Sequence, residues 1–180
     1  MIEKSYLDGK IIVKVSDITD EDVDVIVNAA NSSLMGGGGV DGSIHRAGGI
    51  EILNECKKIR TTRYIDGLPT GEVVITTAGK MKARSVIHTV GPVYSGKESD
   101  KTFLHRCYFN SLELCRNKKY SSIAFPAIST GVYGYPKDEA AVIASSAIKD
   151  FLHNDDFIKE IRLVFFSQSD AEIFIKNNAF

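Results

Sequence analysis

The chain has almost no net charge: 22 Lys and Arg face 23 Asp and Glu across 180 residues, leaving −1 at pH 7 and a pI of about 6.4. Nonspecific nucleic-acid binding needs a basic field. No nucleic-acid partner is therefore expected, and any anion must be held by a local arrangement of donors. Cysteines are few and odd in number: Cys56, Cys107 and Cys115 lack Cys-x-x-Cys spacing, which favours reduced, buried thiols over disulfides or zinc ligands and a cytoplasmic location. No apolar run approaches membrane-spanning length, so no membrane partner is expected, and Met1–Lys10 is too short and too charged for a signal peptide. Internal repeats, low-complexity tracts and linker-like composition shifts are missing too. With 43% hydrophobic and 25% charged residues, the chain reads as one compact domain over residues 1–180, acting as a monomer.

Strand-like and helix-like segments alternate. Short β-branched or aromatic runs at Ile11–Val15, Val23–Val27, Val73–Thr77, Ser85–Val90, Ser122–Phe125 and Ile161–Phe166 predict strands, several apolar on both faces as central strands are. Helical periodicity marks Ile44–Arg63, Lys101–Asn117 and Lys137–His153, the last with Ala140, Ala144, Ala147, Ile148 and Phe151 on one side. Ser169 is expected to cap a final helix, Asp170–Asn177. This order predicts an α/β fold with a mostly parallel sheet covered by helices on both sides, a class that binds ligands beyond the carboxyl ends of its strands.

One such end carries the run Asn28-Ala29-Ala30-Asn31-Ser32-Ser33-Leu34-Met35-Gly36-Gly37-Gly38-Gly39-Val40-Asp41-Gly42-Ser43-Ile44-His45. Four consecutive glycines let backbone amides approach a phosphate or sugar closely, at an entropic cost that ordinary loops avoid. Asp41 and His45, four apart where helical propensity resumes, share a face of the first turn. Gly37 to Gly42 formally fits the dinucleotide fingerprint, but it lies several residues beyond the strand Val23–Val27 instead of turning directly from strand to helix. A Walker loop would need Gly-Lys-Ser/Thr where Val40-Asp41 stands. An unadorned flexible loop would mix Ser, Lys and Asn among the glycines and bring no polar constellation with it.

A second cradle follows the strand Ser122–Phe125. In Ile128-Ser129-Thr130-Gly131-Val132-Tyr133-Gly134 the backbone amides of Ser129 to Tyr133, beside a helix N-terminus, suit a diphosphate without any Lys or Arg. The competing reading is an ordinary strand-to-helix connection in which Gly131 and Gly134 serve turns.

Taken together, Val25-Ile26-Val27-Asn28-Ala29-Ala30-Asn31 running into Gly36–Gly39-Val40-Asp41-Gly42 and His45-Arg46-Ala47, then Thr70-Gly71-Glu72, Ile87-His88-Thr89-Val90-Gly91-Pro92 and the Ile128–Gly134 block resemble the macrodomain family, and within it the MacroD-type branch. The resemblance runs from about Asp17 to Pro136, with the expected last strand and helix beyond. It implies a three-layer α/β/α sandwich around a mixed, mostly parallel sheet, an ADP-ribose pocket, and hydrolysis of ADP-ribose attached to protein side chains or to acetate. By the same resemblance Asp17 is the adenine-binding acid, with Ile18 supplying a neighbouring amide; in Ser-Asp-Ile-Thr-Asp it also suits a helix cap, and the two roles coexist. Phe166 matches the aromatic that stacks on adenine, although alternation requires one of Phe165 and Phe166 to be core. Asn31 matches the asparagine that bonds the sugar hydroxyls, Asp41 the catalytic acid and His45 its supporting histidine. Gly36, Gly37, Gly38, Gly39, Val40, Ser129, Thr130, Gly131, Val132 and Tyr133 line the diphosphate and distal ribose, with Tyr133 closing over them. Asn28 is expected to hold the loop through its amide, and His88 to be structural at a strand end, as are His105 and His153 on polar helix faces. Gly67-Leu68-Pro69 precedes Thr70-Gly71-Glu72 where members commonly carry Gly-Cys, which disfavours the zinc-dependent branch; no metal and no cofactor are expected.

The implied chemistry expels a carboxylate from the distal ribose, or opens its ester, with water. One acid suffices because a carboxylate leaving group needs little protonation. The partners are then ADP-ribose and either ADP-ribosylated proteins or O-acetyl-ADP-ribose. A rival reading is a module that binds ADP-ribose without hydrolysing it; an NAD-dependent oxidoreductase would require a second substrate domain for which the length leaves little room.

Overall fold

The computed structural model describes residues 2–180. Seven strands form one mixed sheet: β1 (Glu3–Tyr6), β2 (Ile11–Val15), β3 (Val25–Ala30), β4 (Val73–Thr77), β5 (Ser85–Val90), β6 (Ser122–Phe125) and β7 (Glu160–Phe165), in the spatial order β1-β2-β7-β6-β3-β5-β4. The five inner strands run parallel, and β1 and β4 close the two edges antiparallel. Five α-helices accompany the sheet among the described residues: α1 (Gly39–Gly48), α2 (Ile50–Thr62), α3 (Glu98–Asn117), α4 (Lys137–Leu152) and α5 (Gln168–Asn177).

Strand alternation separates the helices into two layers. Val25, Val27, Ile87, Ile123, Phe125, Leu163 and Phe165 face a core built with α3, α4 and α5. Their sequence neighbours Ile26, Val86, Ala124 and Val164 face a second core with Ile44 of α1 and Ile52 and Cys56 of α2. The result is the expected α/β/α sandwich with a mixed, mostly parallel sheet. No described helix is long and apolar enough to cross a membrane, and all three cysteines are buried and unpaired.

Several element boundaries differ from the sequence expectation. The helix expected over Ile44–Arg63 is two helices, because Gly49 takes φ +90° and its N–H returns to the His45 carbonyl at 3.0 Å; only glycine adopts that conformation cheaply. The strand expected over Val23–Val27 runs from Val25 to Ala30. Just before it, the Asp24 carboxylate turns aside to accept from Ser121 N and Ser122 N at 2.9 and 3.2 Å. The last strand ends at Phe165, leaving Phe166 just outside it. The final helix begins at Gln168 and is capped by Ser167, whose hydroxyl accepts from Asp170 N, rather than by Ser169. The edge strand β1 lies in a segment that showed no strand pattern, and it joins β2 through Leu7, Asp8 and Gly9, all at positive φ.

Candidate functional site

The connections that follow β2, β3, β5, β6 and β7 all leave from the carboxyl ends of parallel strands, hence from one edge of the sheet. The residues singled out from the sequence fall on these connections in two groups.

The first group surrounds Asp41. The loop after β3 is folded by its own side chains: Asn31 Nδ2 donates to Gly36 O at 3.0 Å, while Asn31 Oδ1 accepts from Ser33 N at 3.1 Å and from the Ser33 hydroxyl. The chain then enters α1 through Gly38, which offers no side-chain cap, so the orphan N–H groups of the first turn, in Gly39 and Val40, are left for solvent or an anion. Asp41 stands in that turn, 5% exposed, where the helix dipole favours negative charge. One turn on, His45 Nε2 lies 3.4 Å from Asp41 Oδ1. A Cβ added at Gly37 would stand 3.1 Å from Asp41 Oδ2 and 3.4 Å from Asn31 Nδ2, and one at Gly36 would touch the His45 ring. Asp41, Asn31, His45 and the glycine loop therefore converge as expected.

Beneath Asp41 the structure departs from the sequence reading. Asn28 does not hold the loop; Asn31 does. Instead Asn28, fully buried in the middle of β3, donates from Nδ2 to Asp41 Oδ1 at 2.8 Å and lies 3.1 Å from His88 Nδ1. His88 is not at a strand end. It is directly opposite Asn28 in the β3–β5 register and wholly buried, with its Nε2 2.8 Å from Thr76 Oγ1 on β4. Burial, with a contribution from His45, pushes the His88 imidazole down to about 3, so the ring is neutral near pH 7. Asn28 interrupts an otherwise apolar strand, and His88 lies in a strand buried along its whole length. A polar side chain in such a strand is the sequence signal that could have assigned them to the site.

The second group lies three strands away. Asp17 follows β2 and caps the 3-10 turn Ile18–Asp20, its Oδ1 accepting from Thr19 N at 2.9 Å and Thr19 Oγ1 at 2.7 Å. Ser16 N donates to Phe165 O at 3.0 Å, which sets this turn beside the end of β7. There Phe166 is 89% exposed, an aromatic face with nothing packed on it, while Phe165 takes the core position. Between the two groups runs the connection after β6. Ser129 adopts φ +65° and is buried with its hydroxyl unpartnered. Thr130 donates back to Ala127 O, Gly131 and Val132 are exposed, and Tyr133 is half-buried with its carbonyl accepting from Tyr94 N at 2.9 Å. Pro136 starts α4 without a side-chain cap, a second helix N-terminus open to an anion. Gly91 packs so closely on Ser129 that an added Cβ would stand 2.1 Å from its hydroxyl oxygen. Among the described residues no three His, Cys, Asp or Glu side chains come together as metal donors.

Comparison with known proteins places the chain in a family. The family profile of the Macro domain matches residues 27–144. An O-acetyl-ADP-ribose deacetylase of Escherichia fergusonii is 51% identical over 167 residues, covering 92% of this chain and 93% of its own. A mutant of the Oceanobacillus iheyensis macrodomain solved with ADPR superposes with a TM-score of 0.91 at 46% identity, over 98% of this chain and 95% of that one. The Trypanosoma brucei macrodomain in complex with ADP-ribose gives 0.85 at 36%, over 93% and 68%. With the profile spanning more than half its length and relatives at this identity covering nearly all of it, the chain belongs to the Macro domain family.

Proposed function

We propose that this protein binds ADP-ribose and hydrolyses its esters, removing acetate from O-acetyl-ADP-ribose and mono-ADP-ribose from acidic protein side chains. The observation that carries the reading is the Asp41 carboxylate, buried between a glycine loop that opens onto it and the His45 ring. Recognition of a neutral sugar does not call for a buried acid at that point, whereas activation of water does. The relatives named O-acetyl-ADP-ribose deacetylases and the neighbours solved with ADPR and ADP-ribose support the same ligand.

The two groups are spaced for such a ligand. From β2 to β3 or β5 is three or four strand spacings, about 14–19 Å, the reach of an adenosine at one end and a ribose at the other. Adenine stacks on Phe166 and donates its exocyclic amine to the free oxygen of Asp17, with the Ile18 amide beside it. The diphosphate crosses Ser129–Tyr133 and the first turn of α1, held by backbone N–H groups, and Tyr133 closes over it. The distal ribose meets Asn31, Asp41 and His45. Water attacks the anomeric carbon of the distal ribose as Asp41 accepts its proton, the bond from that carbon to the ester oxygen breaks, and the carboxylate departs without needing a proton from a second acid.

The direct test is incubation with O-acetyl-ADP-ribose and with glutamate-linked and arginine-linked ADP-ribosylated proteins. Release from the first two and none from the third is expected; ADP-ribose binding with no turnover on any would leave a reader module.

Two binding predictions follow from the geometry. Asp17→Ala is expected to weaken ADP-ribose by about 10- to 150-fold, the worth of a charge-assisted hydrogen bond, and to erase the preference for adenine over hypoxanthine diphosphate ribose in calorimetry; an unchanged preference would mean that the carboxylate only caps its turn. In the glycine loop, Gly37→Val is expected to lose both binding and turnover because its side chain meets Asp41 and Asn31. Gly38→Ala leaves the free protein's thermal midpoint unchanged, since an added Cβ meets nothing within 4 Å and φ is −90°. Weakened ADP-ribose binding by Gly38→Ala then reports the ligand's approach to the loop.

A further inference from the structure

The polar groups beneath Asp41 have only one consistent hydrogen-bonding arrangement. An ionised carboxylate only accepts, so the atom of Asn28 that faces Asp41 Oδ1 at 2.8 Å must be the amide nitrogen. Its second N–H then points to His88 Nδ1 at 3.1 Å, which must be unprotonated to accept it. The neutral ring therefore carries its proton on Nε2, which donates to Thr76 Oγ1 at 2.8 Å, and the Thr76 hydroxyl in turn donates to Thr77 O at 3.0 Å. Cys56 Sγ, 3.9 Å from the same Nε2, is a buried thiol pushed up to about 12 and so stays protonated. One N–H of Asn28 goes to Asp41, and the remaining donors run the other way, from Asn28 to His88, Thr76 and the Thr77 carbonyl.

The arrangement has a cost that shows what sets it. Asn28 Oδ1 is buried with no partner, an unmet acceptor that by itself disfavours this orientation. Turning the amide over would present that oxygen to a carboxylate oxygen and take both N–H groups from their acceptors. Asp41 alone does not lock the amide, because one bond lets it rock about its own axis. The second acceptor, His88 Nδ1, fixes its plane.

We propose that His88, carrying its proton on Nε2, is a positioning residue for Asp41, acting through the Asn28 side-chain amide. This rests on the reading of Asp41 as the group that activates water. His88 touches no substrate. Its effect is to hold one oxygen of the carboxylate so that the other, Oδ2, is presented to the glycine loop.

Nitrogen-15 NMR of the wild-type protein tests the tautomer without any activity: His88 Nδ1 is expected to resonate as an unprotonated nitrogen and Nε2 as a protonated one between pH 5 and 8, and the reverse pattern overturns the proposal. Kinetics and crystallography test the consequence. His88→Phe, which keeps the volume and removes the acceptor, is expected to lower kcat on O-acetyl-ADP-ribose by about 10- to 100-fold, the range for losing a group that orients a reacting one, with KM and ADP-ribose affinity within about threefold. His88→Asn, which returns an acceptor near the Nδ1 position, is expected to recover most of kcat. A folded His88→Phe with wild-type kcat, or Phe and Asn variants equally impaired, overturns the proposal; so does a His88→Phe crystal structure in which Asn28 and Asp41 keep their places. If the wild-type protein turns nothing over, the proposed function fails, while the spectrum and that crystal structure still decide whether His88 orders the carboxylate.

Discussion

Asp41→Ala is expected to reduce single-turnover hydrolysis of O-acetyl-ADP-ribose by about 10²–10⁴-fold, the usual worth of a positioned base, while ADP-ribose still binds within a few-fold of wild type. The separation follows from where the contacts come from. The candidate adenine and diphosphate contacts lie on the connections after β2, β6 and β7 and on backbone N–H groups, none of which depends on the Asp41 side chain. Some stability should go with the carboxylate, because Asn28 Nδ2 loses its acceptor inside the protein and His45 Nε2 its neighbouring charge; about 1–3 kcal/mol is the cost of one stranded donor. Asp41→Asn distinguishes charge from shape. It keeps an oxygen for Asn28 but supplies no base, so it should be nearly as slow as the alanine protein and more stable. Wild-type single-turnover rates in Asp41→Ala would reduce the residue to a helix-terminus acid and require another group to activate the water.

Glu21→Leu is expected to lower stability by about 3 kcal/mol, which for a chain of this length corresponds to a thermal midpoint roughly 6–12 °C lower. Glu21 is 3% exposed and ends the turn that carries Asp17. Its carboxylate pairs with Arg162 on β7 at 2.6 Å and with Lys14 on β2 at 3.1 Å. The value is set at the low end for a broken buried pair because Lys14 and Arg162 keep 24% and 21% of their side-chain surface, and Arg162 retains Glu160. Burial alone would raise the Glu21 carboxyl; the bonds from Arg162, Ser16 and Lys14 outweigh it and hold the group below its ordinary 4.5. A depressed carboxyl binds fewer protons folded than unfolded, so its stabilisation is complete above about pH 4.5 and is lost as the pH falls through the folded value. The wild-type protein should therefore lose stability more steeply than Glu21→Leu below pH 4.5, with parallel curves above pH 6. Denaturant unfolding at several pH values checks this, and parallel curves throughout would assign the effect to packing.

The parts of the fold legible in the sequence are those whose pattern is local. β2, β4, β5 and β6 lie where short β-branched or aromatic runs predicted them, since such runs are read without knowing the partner strand. β1 escaped because Glu3, Lys4 and Ser5 are an exposed edge with nothing apolar to alternate, although Asp8-Gly9 is a hairpin signal. The break between α1 and α2 was hidden because Ile44, Ile52 and Cys56 keep one buried face across it. The same distinction governs the site. Asp41 and His45 are one helical turn apart, so their meeting could be read directly. Asn28 and His88 are 60 residues apart and meet through strand register, as do His88 and Thr76 across β5 and β4. Nothing in the spacing along the chain encodes a register.

The sheet order also sets a timetable for synthesis. β2 is flanked only by β1 and by β7, the last strand of the chain, so the amino-terminal hairpin has no place in the sheet until residues 160–165 leave the ribosome. β3, β4, β5 and β6, with α1 to α3, can pair earlier because their partners are already made. A nascent chain thus assembles the glycine loop around Asp41 well before the Asp17 turn has a β7 to rest against. Pairing β2 with β7 closes the longest loop between paired strands, the kind of contact that slows folding most, and only that late closure sets the Asp17 turn in the same sheet as the glycine loop.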